Sequence, residues 1–199
     1  MRVGVLASGT GTNLQALLDS VHGREVEIVA VASDKPQAQA LERARAAGVP
    51  ARAFPAGDHP GRDARDAAIA DWLAAAGVEL VVLAGYMQLL GAGFLARFPD
   101  RVLNVHPALL PAFPGLDAIG QALDYGVKVF GVTVHLVDEG VDTGPIVLQA
   151  AVELPDATGR DEVLAALRPL EHRLLPEAVR RIAAGRLRRD PANPRRVLT

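Results

Sequence analysis

In the run Arg101-Val-Leu-Asn-Val-His-Pro107, Asn104 and His106 stand two residues apart among apolar and β-branched neighbours. On an extended strand that spacing sends both side chains to one face, while Leu103 and Val105 take the other. An amide beside an imidazole suits acyl transfer: the amide N–H can stabilise a developing oxyanion and the ring can move a proton. A hydrogen-bonded pair that only caps a strand would use the same residues. Further along, the loop Asp138-Glu-Gly-Val-Asp-Thr-Gly144 offers three carboxylates, Asp138, Glu139 and Asp142. Their spacing matches no EF-hand loop. They form either a solvated acidic turn or the source of one carboxylate that orients His106 and favours its protonated form. His135, just before this loop, shares a face with Thr133 and reads equally well as a structural histidine that fixes the corner. His22 and His59 fall in surface segments and are assigned no role.

A second candidate lies near the N-terminus, where Val3-Gly-Val-Leu-Ala-Ser-Gly-Thr-Gly-Thr-Asn13 places a glycine-rich turn between an apolar run and a helical one. Glycines permit the tight backbone, and a helix N-terminus offers free N–H groups to an anion. Gly9 and Gly11 match the first two glycines of the dinucleotide fingerprint, but Leu14 stands where the third belongs. Asp34 lies just past the second apolar run, where an adenosine ribose would sit. With Thr10, Thr12 and Asn13 as donors, the turn favours a terminal phosphate over a pyrophosphate. A turn needed only for sharp chain reversal is the plainer alternative.

Positioning these groups requires strands that end at the site and helices that return the chain. The pattern supplies them: short β-rich runs alternate with alanine-rich segments of helical period, as in an α/β protein with a mainly parallel sheet. Strands are predicted at Arg2–Ala7, Val26–Ala32, Ala51–Phe54, Leu80–Ala84 and Arg101–Val105. Helices are predicted at about Thr12–Val21, Gln37–Ala47 and Arg62–Ala76. Lys128–Val137 and Pro145–Val152, joined by the short acidic loop, are expected to pair antiparallel. A long amphipathic helix follows from about Arg160 to Ala184. In open α/β sheets ligands gather beyond the carboxyl ends of the strands, which is where Asn104 and His106 would stand. The Arg-rich tail Gly185–Thr199 is either a terminal edge strand or a basic, partly disordered extension.

Composition narrows the function further. The 199 residues are 50% hydrophobic and 22% charged with a net charge of -2, and the pI is about 6.2. These values oppose general electrostatic binding to nucleic acid or anionic membranes. With no cysteine there is no thiolate nucleophile, Cys-based zinc site or disulfide framework. The uncharged run Leu80–Ala96 is interrupted by glycines and falls short of the roughly 20 residues that span a bilayer. A cytoplasmic location is expected.

Together the motifs resemble those of the phosphoribosylglycinamide formyltransferases over nearly the whole length. The matching stretches are Val3–Leu17, SDKPQAQALERARAAGVP (33–50), VVLAGYMQLL (81–90), LNVHPALLP (103–111), Gly131–Gly144 and Glu171-His172. The resemblance implies a doubly wound, mainly parallel twisted sheet, Rossmann-like in its N-terminal half, with an antiparallel strand in the C-terminal half and a long C-terminal helix. It implies one formyltransferase domain over 1–199, with a phosphate-binding half (1–100) and a catalytic and folate-binding half (101–199). The amine of glycinamide ribonucleotide would attack the formyl carbon of 10-formyltetrahydrofolate, the co-substrate, with no metal. By the same match His106 is the proton-transferring acid/base, Asn104 the oxyanion donor and Asp142 the carboxylate partner of the histidine. Gly11, Thr12 and Asn13 would hold the substrate phosphate and Glu171 the ribose. The folate would meet Arg62, Met87, Gln88, Leu89, Leu90 and Asn104, together with Asp138, Glu139, Gly140, Val141 and Asp142. No nucleic acid or membrane partner is implied, and the enzyme would be a monomer or homodimer.

Some positions depart from the family pattern. Gln88 stands where an arginine is common, Ala112 where a basic or polar residue is frequent, and Ile119-Gly120 where a His-Glu pair is usual. Ile119 is closer to the methionyl-tRNA formyltransferases, which would carry a further basic C-terminal domain. A formyltetrahydrofolate hydrolase would use water as acceptor and usually adds an N-terminal regulatory domain. A nicotinamide-dependent oxidoreductase is the rival of a different class, separable by whether NAD or a folate analogue binds.

Overall fold

The computed structural model describes residues 1–198. The chain divides into two compact units, 1–104 and 105–199. In the first, the strands are β1 (Arg2–Leu6), β2 (Glu27–Ser33), β3 (Ala51–Ala53), β4 (Leu80–Leu83) and β5 (Val102–His106), the last two residues of β5 belonging to the second unit. The helices are α1 (Thr12–Ser20), α2 (Gln39–Ala46), α3 (Arg62–Ala75) and the short α4 (Ala92–Leu95). The strand order is β3-β2-β1-β4-β5, every pair parallel. Parallel strands covered on both faces read as unbroken apolar runs. Accordingly all four residues of β4 are buried, as are Val3, Val5 and Leu6 of β1. Fully burying side chains of this size contributes about 1.5–3 kcal/mol each.

The second unit holds α5 (Ala118–Tyr125), β6 (Val129–Leu136), β7 (Ile146–Glu153), α6 (Arg160–Ala183), β8 (Arg188–Asp190) and β9 (Asn193–Leu198). Its strands follow the order β6-β7-β9-β8. β6 and β7 are antiparallel, with Phe130 opposite Val152 and Thr133 opposite Gln149. From Leu148 to Glu153, β7 alternates half-buried and exposed residues, as expected for a strand with one solvated face. α6 packs on β6 and β7, and Leu167, Leu175, Val179 and Ile182 are among its buried residues. Pro169 and Pro176 lie within it, each removing one backbone donor.

Two helices were not predicted from the sequence. α4 is a single turn, too short for a period to show. α5 contains Gly120 and ends at Gly126 in the left-handed conformation, so its helical pattern is weak. The Arg-rich tail takes the edge-strand alternative: β8 and β9 form an antiparallel hairpin, and β9 pairs parallel with β7 at Ile146–Arg196. Among the described residues no helix is long and apolar enough to cross a membrane.

Candidate active site

At the end of β5, Asn104 is half-buried, Leu103 and Val105 are buried, and His106 is 5% exposed. Two oxygens flank the His106 ring. Nδ1 lies 3.3 Å from Asp142 Oδ2, and Nε2 lies 2.9 Å from the Phe113 carbonyl oxygen. A carbonyl oxygen and a carboxylate only accept hydrogen bonds, so the arrangement accommodates a ring that donates from both nitrogens. The ring is thereby held in one orientation.

Asp142 gathers more than one histidine. Its Oδ1 lies 3.4 Å from His135 Nε2, and its Oδ2 also accepts the Gly115 N–H at 2.8 Å. Burial pushes this carboxyl up, but the His135 hydrogen bond, the Gly115 N–H and the charges of His106 and His135 outweigh it. The group therefore titrates below its ordinary value of 3.8. The other ring nitrogen of His135, Nδ1, is 2.9 Å from the Leu136 carbonyl oxygen. His135 thus fixes the corner by holding the carboxylate. Its position at an odd step along β6, on the face of Thr133, was the one signal of this in the sequence.

The loop that carries Asp142 is shaped by its own side chains. Asp142 sits at φ 54°, and Asp138 Oδ1 accepts from the Gly140 N–H at 3.1 Å and the Thr143 hydroxyl at 2.7 Å. The Asp138 carboxylate is therefore a brace of the turn. Glu139, Gly140 and Val141 remain exposed at its tip. Thr133, fully buried, donates to the Ala108 carbonyl (2.7 Å) and accepts from the Leu110 N–H (3.0 Å), fixing the segment after β5. Leu110–Pro111 is a cis peptide.

The departures at 119–120 have a local explanation. Asp117 caps α5 by accepting from the Gly120 N–H at 3.1 Å, and a Cβ at position 120 would lie 2.5 Å from Asp117 Oδ2. Ile119 is buried. The Arg160 guanidinium beside Asp117 and the Gly120 N–H hold that exposed carboxyl below its usual range. Glu171 stands half-buried on α6, next to His172. Burial, then the Arg168 charge, lowers the His172 pKa.

In the first unit, the turn after β1 enters α1 through Gly11 at φ 71°. A Cβ there would lie 2.7 Å from Ala40 Cα, and the Gly9 carbonyl accepts the Ala40 N–H at 3.2 Å. Glycine is thus required both by conformation and by the approach of α2. Thr12 is half-buried and Asn13 9% exposed at the start of α1. Arg62 opens α3, largely exposed, with Nε 3.5 Å from Asp63. Of the segment after β4, Met87 and Leu89 are 59% and 60% exposed, whereas Gln88 and Leu90 are half-buried. Gln88 receives a hydrogen bond from the buried Arg65, so the guanidinium near this position comes from α3. Arg65 was read from the sequence only as part of a helix.

Comparison with known proteins places this arrangement. The sequence pattern described as "Formyl transferase" matches residues 1–179. A phosphoribosylglycinamide formyltransferase of Mycobacterium tuberculosis (strain ATCC 25618 / H37Rv) is 49% identical over 92% of this chain and 85% of its own. That of Bacillus subtilis (strain 168) is 41% identical over 89% and 92%. The solved structure of glycinamide ribonucleotide transformylase 1 from Symbiobacterium toebii superposes with a TM-score of 0.94 at 50% identity, covering 100% of this chain and 93% of that one. With Asn104 and His106 on one face of β5, a carboxylate on the histidine, and matches of this extent, the chain belongs to the formyl transferase family.

Proposed function

We propose that this chain transfers the formyl group of 10-formyltetrahydrofolate to the amine of glycinamide ribonucleotide, as a step of purine biosynthesis, and that residues 1–199 act as one formyltransferase domain. The observation that carries this reading is the His106–Asp142 contact of 3.3 Å on the strand that also bears Asn104, in a family of formyl transferases. The relatives named above carry the activity in their names.

The folate supplies the formyl carbon, and the residues of this chain do the rest. His106 moves the proton between the attacking amine and the leaving nitrogen. Asn104 donates to the oxygen on which negative charge develops. Asp142, ionised below the ordinary carboxyl range, keeps the imidazole oriented and balances its charge. The N-terminus of α1, with Gly11, Thr12 and Asn13, suits a phosphate because the N–H groups and dipole at a helix N-terminus favour an anion. Glu171 suits a ribose hydroxyl as an acceptor. For the folate, the exposed Met87 and Leu89 suit the apolar contact a flat heterocycle needs. Arg62, Gln88, Leu90 and the loop Asp138–Asp142 are assigned to the same ligand.

The test is an assay of formyl transfer from 10-formyltetrahydrofolate with three acceptors in competition: glycinamide ribonucleotide, water and methionyl-tRNA. Preference for the ribonucleotide by kcat/KM is expected. Equal or greater turnover with water would make the protein a hydrolase, and preference for the tRNA would redirect the acceptor.

A further inference from the structure

The segment Gly85–Gly91 between β4 and α4 contains no helix or strand, yet it presents two large apolar side chains, Met87 and Leu89, to solvent. It is held from below by polar groups. The Met87 N–H donates to Ser8 Oγ at 2.8 Å. The Gly91 N–H donates to Asp66 Oδ2 at 2.9 Å. Between them, the Gln88 amide is gripped at both ends: Arg65 Nη1 donates to its oxygen at 3.2 Å, and its nitrogen donates to Asp34 Oδ2 at 3.1 Å.

Arg65 is the centre of this arrangement and is unusual for its burial. It is 3% exposed and Asp66 2%. Its Nη2 lies 3.4 Å from Asp66 Oδ1, and its buried Nε has no hydrogen-bond partner among the described residues. A buried guanidinium loses several kcal/mol of hydration, so a helix facing only a core would be better served by an apolar residue. The charged groups around it are Asp34 and Asp66, with the buried hydroxyl of Tyr86 close by. Burial pushes that phenol above its ordinary value of 10.0, Arg65 opposes the shift, and Asp34 and Asp66 add to it. Arg65 is thus a buried cation set between the buried Asp66 and the half-buried Asp34, which it reaches through Gln88. Its fork, together with Asp66, ties α3 to the irregular segment.

We propose that Arg65 is a positioning residue for the folate side of the reaction: through Gln88 it fixes the ledge on which Met87 and Leu89 stand. The proposal rests on the reading that this segment meets the folate. Arg65 does not touch the substrate in this scheme. It acts by removing freedom from a segment whose ordering would otherwise be a cost of binding. The consequence is selective: the folate should bind less well without it, while the ribonucleotide and the chemical step are unaffected.

The experiment is a double-mutant cycle with Arg65→Met, which keeps the apolar stem and removes the fork, and Gln88→Met, which cuts the same contact from the other side. Each single variant is expected to raise KM for 10-formyltetrahydrofolate about tenfold, or about 1.4 kcal/mol, with KM for the ribonucleotide and kcat within about twofold of wild type. If Arg65 acts through Gln88, the double variant should be no worse than the weaker single one. Multiplying effects, or an Arg65 variant that lowers kcat and leaves the folate KM unchanged, would overturn the proposal. Should Arg65→Met fail to fold by circular dichroism, Arg65→Lys takes its place: it keeps a charge against Asp34 and Asp66 but lacks the planar fork. The wild-type protein separates the role of Arg65 from the functional reading. If the wild-type protein does not use the formyl-folate, the functional reading fails. If it does and the cycle shows no coupling, only the role of Arg65 fails.

Discussion

Asp142→Asn removes a charge and preserves a shape, and the structure says how much that should cost. The carboxylate receives three contacts: Gly115 N–H at 2.8 Å, His106 Nδ1 at 3.3 Å and His135 Nε2 at 3.4 Å. An asparagine has one acceptor oxygen; set at the Oδ2 position, it keeps both the Gly115 bond and the His106 contact, while its NH₂ takes the place of Oδ1 and faces His135. The His135 contact is therefore the one lost. A hydrogen bond to a charged group contributes about 1.5–3 kcal/mol. At 3.4 Å this contact is longer than the usual N–H···O range, so the low end, about 1.5 kcal/mol, applies. For a domain of this size that is a fall in Tm of about 3–6 °C at neutral pH. The pH dependence has a definite sign. A carboxyl whose folded pKa is depressed contributes stability above its unfolded value of 3.8, and this contribution disappears as pH falls through the lower folded value. The gap in Tm between wild type and Asp142→Asn should therefore be full at pH 6–7 and close below about pH 3.8. Calorimetry of both proteins across that range measures it, and kcat should drop about 10²-fold or more alongside. A variant within about 1 °C of wild type at neutral pH, or a gap that persists undiminished in acid, would refute the reasoning that the carboxylate anchors His135.

Asn104→Ala should lower kcat by about 10²–10³, the loss typical of one oxyanion donor; tenfold or less in steady-state assays, with the fold intact, would reduce Asn104 to positioning. Asn13→Ala should raise KM for the ribonucleotide much more than for the folate, and the reverse pattern in initial-rate measurements would mean the two ligands are assigned to the wrong groups. Gly11→Ala forces a Cβ to 2.7 Å from Ala40 Cα at φ 71°, so thermal melts should show a loss of at least the roughly 1–3 kcal/mol typical of a non-glycine residue held there. An unchanged Tm would show that the turn can relax away from α2.

The amino-acid sequence by itself determined the alternation of strands and helices, the antiparallel β6–β7 pair, and the common face of Asn104 and His106. These depend on periods of 2 and 3.6 residues and on local propensity, which any stretch such as Leu80–Leu83 or Arg160–Ala183 carries within itself. Residue types alone offered Asp142 as one of three carboxylates in a loop, and the family resemblance chose it among them; the tertiary structure supplies the physical reason. The left-handed turn at Asp142, with φ 54°, delivers that carboxylate to His106 and His135, while Asp138 bends back onto Gly140 and Thr143. The same assembly supplied groups that no side-chain pattern advertises, the Phe113 carbonyl and the Gly115 N–H, because every residue has such groups and only a particular backbone path aims them. Arg65 is the sharpest case. Between alanine and aspartate on a helix it reads as a solvated cation, yet it is buried against Gln88, 23 residues further along. Which face of α3 meets the segment after β4 follows from how those elements pack, and packing partners distant in the chain leave no period in the sequence to read.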